Sequence, residues 1–167
     1  MDYIDTYQSP LGPITLASNG IQLTGLWFQG QFHYASTLDP NHKNEILPIF
    51  QITKLWLDLY FSGKIPDFTP SLAPTGTTFR QEIWKILLTI PYGQTITYSE
   101  IASIYAKQQG KIRMSAQAVG NAVGHNPISL IIPCHRVIGS NGALTGYAGG
   151  LDRKSFLLTL EQMHFAE

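Results

Sequence analysis

The sequence predicts an α+β fold in two parts, a strand-rich first half closed by one helix and a mainly helical second half. Three observations carry this. Short apolar runs separated by turn-forming residues fill the chain as far as Phe28. A helical apolar period then runs from Ile46 to Phe61. Beyond Thr78 helical periods recur, interrupted by a loop-rich centre.

In order, Pro10-Leu11-Gly12-Pro13 reads as a turn and Ile14–Ser18 as a strand. Asn19-Gly20 is a strong hairpin signal, with Leu23–Phe28 as the return strand. The helix over Ile46–Phe61 places Ile49, Ile52, Leu55, Trp56, Leu59 and Tyr60 in phase, and Gly63 and Pro66 stop it. Pro70, Pro74 and Gly76 leave little room for regular structure. The expected parts are therefore residues 1–76, ending in a linker from about 66, and residues 77–167.

In the second part Thr78 can cap a helix through Phe79, Ile83, Trp84, Ile86, Leu87 and Ile90, ending before Pro91-Tyr92-Gly93. Thr97 or Tyr98 opens a short helix through Ile101, Ala102 and Tyr105. Ser115 caps another through Ala118, Val119, Ala122 and Val123, with Gly124 closing it and Pro127 following. Two short helices joined by a polar turn point to a helix-turn-helix. The second of them carries Ala, Gln, Asn and Gly rather than long donors. That surface suits close approach to a narrow groove, whereas periodicity alone favours a helix packed inside the protein.

Composition narrows the function. The 167 residues are 44% apolar and only 13% charged, which excludes disorder as the main state. No run reaches the roughly 18 apolar residues of a membrane span. The N-terminus lacks the basic and apolar regions of a signal peptide, so a cytoplasmic protein is expected. One cysteine allows neither an intrachain disulfide nor a Cys-based zinc cluster. Net charge is zero but unevenly spread. Residues 1–79 hold three basic and six acidic groups, net −3; residues 80–167 hold eight and five, net +3. No acid lies between Glu100 and Asp152, where Lys107, Lys111, Arg113 and Arg136 all fall. Such asymmetry fits a polyanion partner, though four charges also fit a solvated face.

The apolar run Ile128–Ile132 leads into Pro133-Cys134-His135-Arg136-Val137. A lone Cys is most often a small core hydrophobe. A neighbouring imidazole that takes its proton makes it a nucleophile. Adjacent strand residues point to opposite faces, so Cys134 and His135 cooperate only if the chain turns there or a water bridges them.

The string Ile132-Pro133-Cys134-His135-Arg136-Val137, with Asn126-Pro127 upstream, resembles the 6-O-alkylguanine-DNA alkyltransferase family. Members are also called methylated-DNA–protein-cysteine methyltransferases. The likeness extends through Phe79–Trp84, Ile90–Thr95, Tyr98–Ala102, Ala118–Ala122, Thr145–Leu151 and Lys154–Glu161, and more weakly through Ser9–Gly12 and Leu23–Leu26. It implies a small ribonuclease H-like N-terminal domain and a C-terminal winged helix-turn-helix domain. It also implies binding of duplex DNA through the minor groove, with the alkylated guanine flipped into a pocket. Methyl transfer from 6-O-methylguanine, with 4-O-methylthymine as a second candidate, would end irreversibly on Cys134, once per chain.

By matching positions, His135 would deprotonate the thiol through a water and Glu161 would hold the imidazole, as in a hydrolase triad. Asn126 would tie down the preceding turn. Tyr98 would donate to the guanine, the Cys134 and Val137 carbonyls would accept from its amine, and Tyr147 would line the alkyl side. The Ala148 N–H would meet the guanine oxygen, where many members have Ser. Ser115, Gln117, Ala118 and Asn121 would face DNA, with Arg113 and Arg136 on phosphates. Gln117 departs from the Arg that many members insert into the base stack. No cofactor and no metal are implied: no Cys precedes residue 134, and His33 and His42 alone make a poor site. Duplex DNA is the expected partner, without a membrane or an obligate protein. Two other classes are a non-catalytic binder of alkylated DNA, which Cys134 argues against, and a small-substrate cysteine hydrolase, which multiple turnover would reveal.

Overall fold

A computed structural model describes residues 1–166, which divide into two compact units. The first comprises Met1–Thr75 with Pro127–Ser129, the second Gly76–Asn126 with the chain from Leu130.

Unit one is a four-stranded sheet with one helix. Strands β1 (Asp2–Ser9), β2 (Gly12–Ser18) and β3 (Leu23–Phe28) form an antiparallel meander, and the short polar β4 (His42–Asn44) pairs parallel to β1. The order is β3-β2-β1-β4. Gly12 turns the β1–β2 hairpin with φ of 101°, a conformation costly for any side chain. Helix α1 (Pro48–Phe61) packs Phe50, Leu57 and Tyr60 into a core with Ile14, Leu16, Leu26 and Phe28. It starts two residues later than the period predicts. Pro48 confines Leu47 to an extended conformation (φ −122°, ψ 148°) and itself suits the first helical turn. The proline-rich segment is not idle. Ser71 accepts from the Leu23 N–H at 2.8 Å and the Ala73 N–H bonds back to Leu23 at 2.8 Å, so it flanks β3.

Unit two holds α2 (Thr78–Leu87), β5 (Ile96–Thr97), α3 (Tyr98–Gln108), α4 (Ala116–Gly124), β6 (Val137–Ile138) and α5 (Leu151–Ala166). Strands β5 and β6 pair in parallel. Thr77 rather than Thr78 caps α2, accepting from the Arg80 N–H, because the free hydroxyl must precede the first helical residue. Thr97 and Ser115 cap α3 and α4 in the same way. Helix α4 ends at Gly124 with His125 as its cap at φ −97°, so the expected left-handed glycine stop is absent. Its inner face buries Val119, Ala122 and Val123, and the Trp84 indole donates to the Ala122 carbonyl at 2.9 Å. Its outer face leaves Ser115, Gln117 and Asn121 exposed. The helix thus has one packed face and one open face.

Ile128–Ile132 does not form a strand before the cysteine. It is buried turn structure, with Leu130 at φ 71°. Among the described residues no helix is long and apolar enough to cross a membrane.

Candidate active site

Cys134 opens a single tight helical turn, Cys134–Arg136. The Arg136 N–H bonds to the Pro133 carbonyl at 3.0 Å, and the Val137 N–H closes on Cys134. This tight turn, rather than a strand, carries Cys134 and His135, so strict strand alternation does not govern them. Asn126 secures the approach: its amide donates to the Ile132 carbonyl at 2.8 Å and its side chain also hydrogen-bonds Cys134.

The histidine is completely buried and held from α5, its Nε2 lying 2.6 Å from Glu161 Oε2. Glu161 is equally buried and unusually well served. Its Oε1 accepts from the Gly93 N–H at 3.0 Å and from Arg136 Nε at 2.8 Å; Oε2 also accepts from Arg136 Nη2 at 3.3 Å. The Pro91-Tyr92-Gly93 turn is thereby docked on α5, where Gln162 also donates to the Gly93 carbonyl at 2.8 Å.

These surroundings set the protonation states. Burial pushes the Cys134 thiol up, against the opposing pull of the Asn126 hydrogen bond and the Lys154 charge. Such a thiol needs a base to ionise near neutral pH. Burial pushes the His135 imidazole down, although Glu161 pulls the other way, so the ring stays neutral and can accept a proton. Burial alone would raise the Glu161 carboxyl. The His135 hydrogen bond and charge and the Arg136 guanidinium reverse this and hold it well below the usual carboxylate range.

Arg136 is the main departure from the sequence reading. It is only 8% exposed, and besides Glu161 it donates through Nη1 to the Ile90 carbonyl at 2.8 Å. A guanidinium committed to a buried carboxylate and carbonyl is not turned towards a phosphate. The other expected basic residue, Arg113, is exposed together with Lys107 and Lys111.

The substrate-side residues gather around the same turn. Tyr98 sits at the start of α3, its hydroxyl within 3.2 Å of the Thr145 and Gly146 carbonyls. Burial first, then the Cys134 charge, raises its pKa and keeps it a donor. The Tyr147 ring lies edge-on to His135 at 6.5 Å. Gly149 makes room for that ring, since a Cβ there would fall 2.5 Å from it. Ala148 is half-buried beside it. Val137 is buried and its carbonyl accepts from Lys154, leaving a second lone pair. Asn121 is exposed with Oδ1 3.5 Å from Arg80.

Lys154 lies within the resembling last helix but is given no role by the sequence, yet it is completely buried and ties the Val137 carbonyl to the Thr145 carbonyl, the latter at 2.9 Å. A signal for it exists. Lys154, Leu157 and Glu161 share one helical face, and two charges on an apolar face mark buried polar work. Among the described residues no three His, Cys, Asp or Glu side chains come together to hold a metal ion.

Two family models match this chain. Residues 78–163 match the DNA binding domain of 6-O-methylguanine DNA methyltransferase, and residues 3–74 match its ribonuclease-like domain. The chain belongs to this family. The methylated-DNA–protein-cysteine methyltransferase of Mycobacterium tuberculosis is 45% identical, over 97% of this chain and 93% of its own. The protein of that name from Methanosarcina barkeri is 47% identical, over 96% and 97%. A crystal structure of Mycobacterium tuberculosis OGT in complex with DNA superposes with a TM-score of 0.83 at 44% identity, covering 97% of this chain and 94% of that one. The family's methyltransferase fold, an α+β pair of domains, therefore frames the cysteine turn described above.

Proposed function

We propose that this protein repairs alkylated DNA by direct reversal, moving the methyl group of 6-O-methylguanine onto Cys134. The observation that carries the reading is the buried Cys134–His135 turn backed by Glu161 at 2.6 Å. The thiol proton passes through a water to the imidazole, whose Nε2 is already held by Glu161, so Nδ1 receives it. The sulfur attacks the methyl carbon, an S–C bond forms and the C–O bond breaks. The electron pair stays on the purine, which takes up a proton and leaves as guanine. A thioether is a poor leaving group, so each chain reacts once and needs no cofactor.

In the same reading, residues 77–167 carry DNA binding and transfer, and residues 1–76 form the companion domain. The duplex lies against the open face of α4, contacting Ser115, Gln117, Ala118, Asn121 and Arg113 from the minor-groove side. The alkylated guanine is flipped towards Cys134, with Tyr98, Tyr147, the Ala148 N–H and the Val137 carbonyl around it. Its place of work is DNA in the cytoplasm. The relatives' names and the solved DNA complex support this reading over a small-substrate cysteine hydrolase.

The test uses duplex DNA with one radiolabelled 6-O-methylguanine, offered to wild type and to Cys134→Ser. Label should move to the wild-type protein and not to the variant, while both bind the duplex alike. Transfer by the variant, or repeated turnover by the wild type, overturns the proposal.

A further inference from the structure

The turn between α3 and α4 carries an unusual exposed residue. Ile112 stands fully in solvent, further out than any other large apolar side chain among the described residues. Leaving such a side chain in water forgoes about 1.5–3 kcal/mol of burial. Lys111 and Arg113 flank it, both exposed, and Lys107 lies one turn back on α3.

The backbone beneath it is firmly held. Helix α3 ends with Gly110 at φ 67°, the Gly110 N–H on the Lys107 carbonyl at 3.2 Å and the Lys111 N–H on the Ala106 carbonyl at 2.8 Å. That is a Schellman stop, closed by glycine. The Lys111 ammonium rests over the Tyr105 ring at 5.8 Å. Ser115 then caps α4. Only Ile112, Arg113 and Met114 bridge the two fixed ends. Beside this tip lies an open cavity of about 420 Å³ that Ile112 itself helps to line, with an apolar floor of Ala102, Ala106, Met114 and Ala116 and a polar rim of Ser99, Ser103, Lys107, Lys111 and Arg113, and with no carboxylate.

We infer that Lys111-Ile112-Arg113 is a DNA wedge: Ile112 enters the minor groove against the base edges while the flanking cations and the Ser99 and Ser103 hydroxyls take backbone phosphates. The inference rests on duplex DNA being the ligand. Charge complementarity selects that occupant, because three cations and two hydroxyls without an acid suit a polyanion. The apolar tip between cations matches how minor-groove proteins prise base steps apart. The wedge also compensates for Gln117. An uncharged, shorter side chain on α4 supports a vacated stack poorly, and a second insertion from the preceding turn shares that task.

The experiment compares Ile112→Ser, Ile112→Phe and the pair Lys111→Gln/Arg113→Gln with wild type. It reads four quantities: affinity for a duplex carrying 2-aminopurine beside 6-O-methylguanine, the salt slope of that affinity, the 2-aminopurine fluorescence on binding, and the ratio of transfer rates on duplex and on free 6-O-benzylguanine. Ile112→Ser should lower duplex affinity and the rate ratio about tenfold, the equivalent of roughly 1.4 kcal/mol. It should lose the fluorescence rise and leave the salt slope of binding unchanged. Ile112→Phe should retain the rise. The double variant should reduce the salt slope by about two. Wild-type behaviour of Ile112→Ser on duplex, with transfer intact, overturns the wedge and leaves the repair reading standing. Failure of the wild type to transfer from either substrate overturns the repair reading itself.

Discussion

Replacing Glu161 by Gln keeps the size and shape of the side chain and removes one charge, and its consequences follow from the hydrogen bonds the carboxylate accepts from Gly93, His135 and Arg136. The amide oxygen can keep the Gly93 N–H and Arg136 Nε. The amide NH2 then faces His135 Nε2, which must turn from donor to acceptor. The ring proton moves to Nδ1, and the imidazole can no longer take a proton from Cys134. In a serine-protease triad the equivalent exchange costs about 10⁴-fold with the geometry intact. A loss of about 10³–10⁴-fold in single-turnover transfer is expected here. Arg136 is also left buried without its counter-charge. Breaking such a pair costs about 3–5 kcal/mol, and the retained acceptor puts this case near 3. For a chain of this size that lowers Tm by roughly 6–12 °C. Transfer would be followed on radiolabelled duplex at a temperature where circular dichroism shows both proteins folded. Duplex affinity should hold. A folded Glu161→Gln protein that transfers within threefold of wild type would refute the tautomer argument.

Gln117→Arg should strengthen duplex binding or speed duplex repair, since Arg adds a phosphate-neutralising charge and a stacking plane. Gln117→Ala should do the reverse, both with little effect on 6-O-benzylguanine; equal effects on the two substrates would place Gln117 at the pocket instead. Because burial holds His135 below its ordinary pKa, transfer should persist as pH falls through the usual imidazole range and fail only below it. A rate that halves at the ordinary histidine value would contradict that. The folded pKa of Glu161 is likewise depressed, so its stabilisation is complete above the ordinary carboxylate pKa and is lost as pH falls towards the folded value. Denaturant titrations below the ordinary carboxylate range should show wild type losing stability with a slope that Glu161→Gln lacks. Gly149→Ala should slow transfer from free base and duplex alike, because the new Cβ displaces the Tyr147 ring; unchanged rates would show that the ring has no part in the pocket.

Helix positions and the hairpin are legible because they depend on local rules: the Asn19-Gly20 turn, the capping hydroxyls at Thr97 and Ser115, and the periods of α1 to α4. The misreadings share a different cause. Ile128–Ile132 looks like a strand by composition, yet its burial is achieved in turns, and periodicity cannot tell the two apart in five residues. Arg136 looks like a phosphate contact because charge is read one residue at a time. Only the fold reveals that Glu161, 25 residues on, comes back to it. Lys154 differs: its helical face with Leu157 and Glu161 signals burial, but its partners, the Val137 and Thr145 carbonyls, are backbone atoms that no sequence pattern names. Cooperation of Cys134 and His135 requires a turn or a bridging water, and the chain does turn at Cys134–Arg136.

The central claim is that the protein itself, at Cys134, is the methyl acceptor. The most direct measurement is mass spectrometry of the protein after incubation with excess 6-O-methylguanine duplex, followed by peptide mapping. The account predicts one added methyl per chain, carried as S-methylcysteine on the peptide containing Ile132-Pro133-Cys134-His135-Arg136, with one guanine restored per protein molecule. An unmodified Cys134 after repair, methyl on another residue, or more guanine restored than protein present would contradict it.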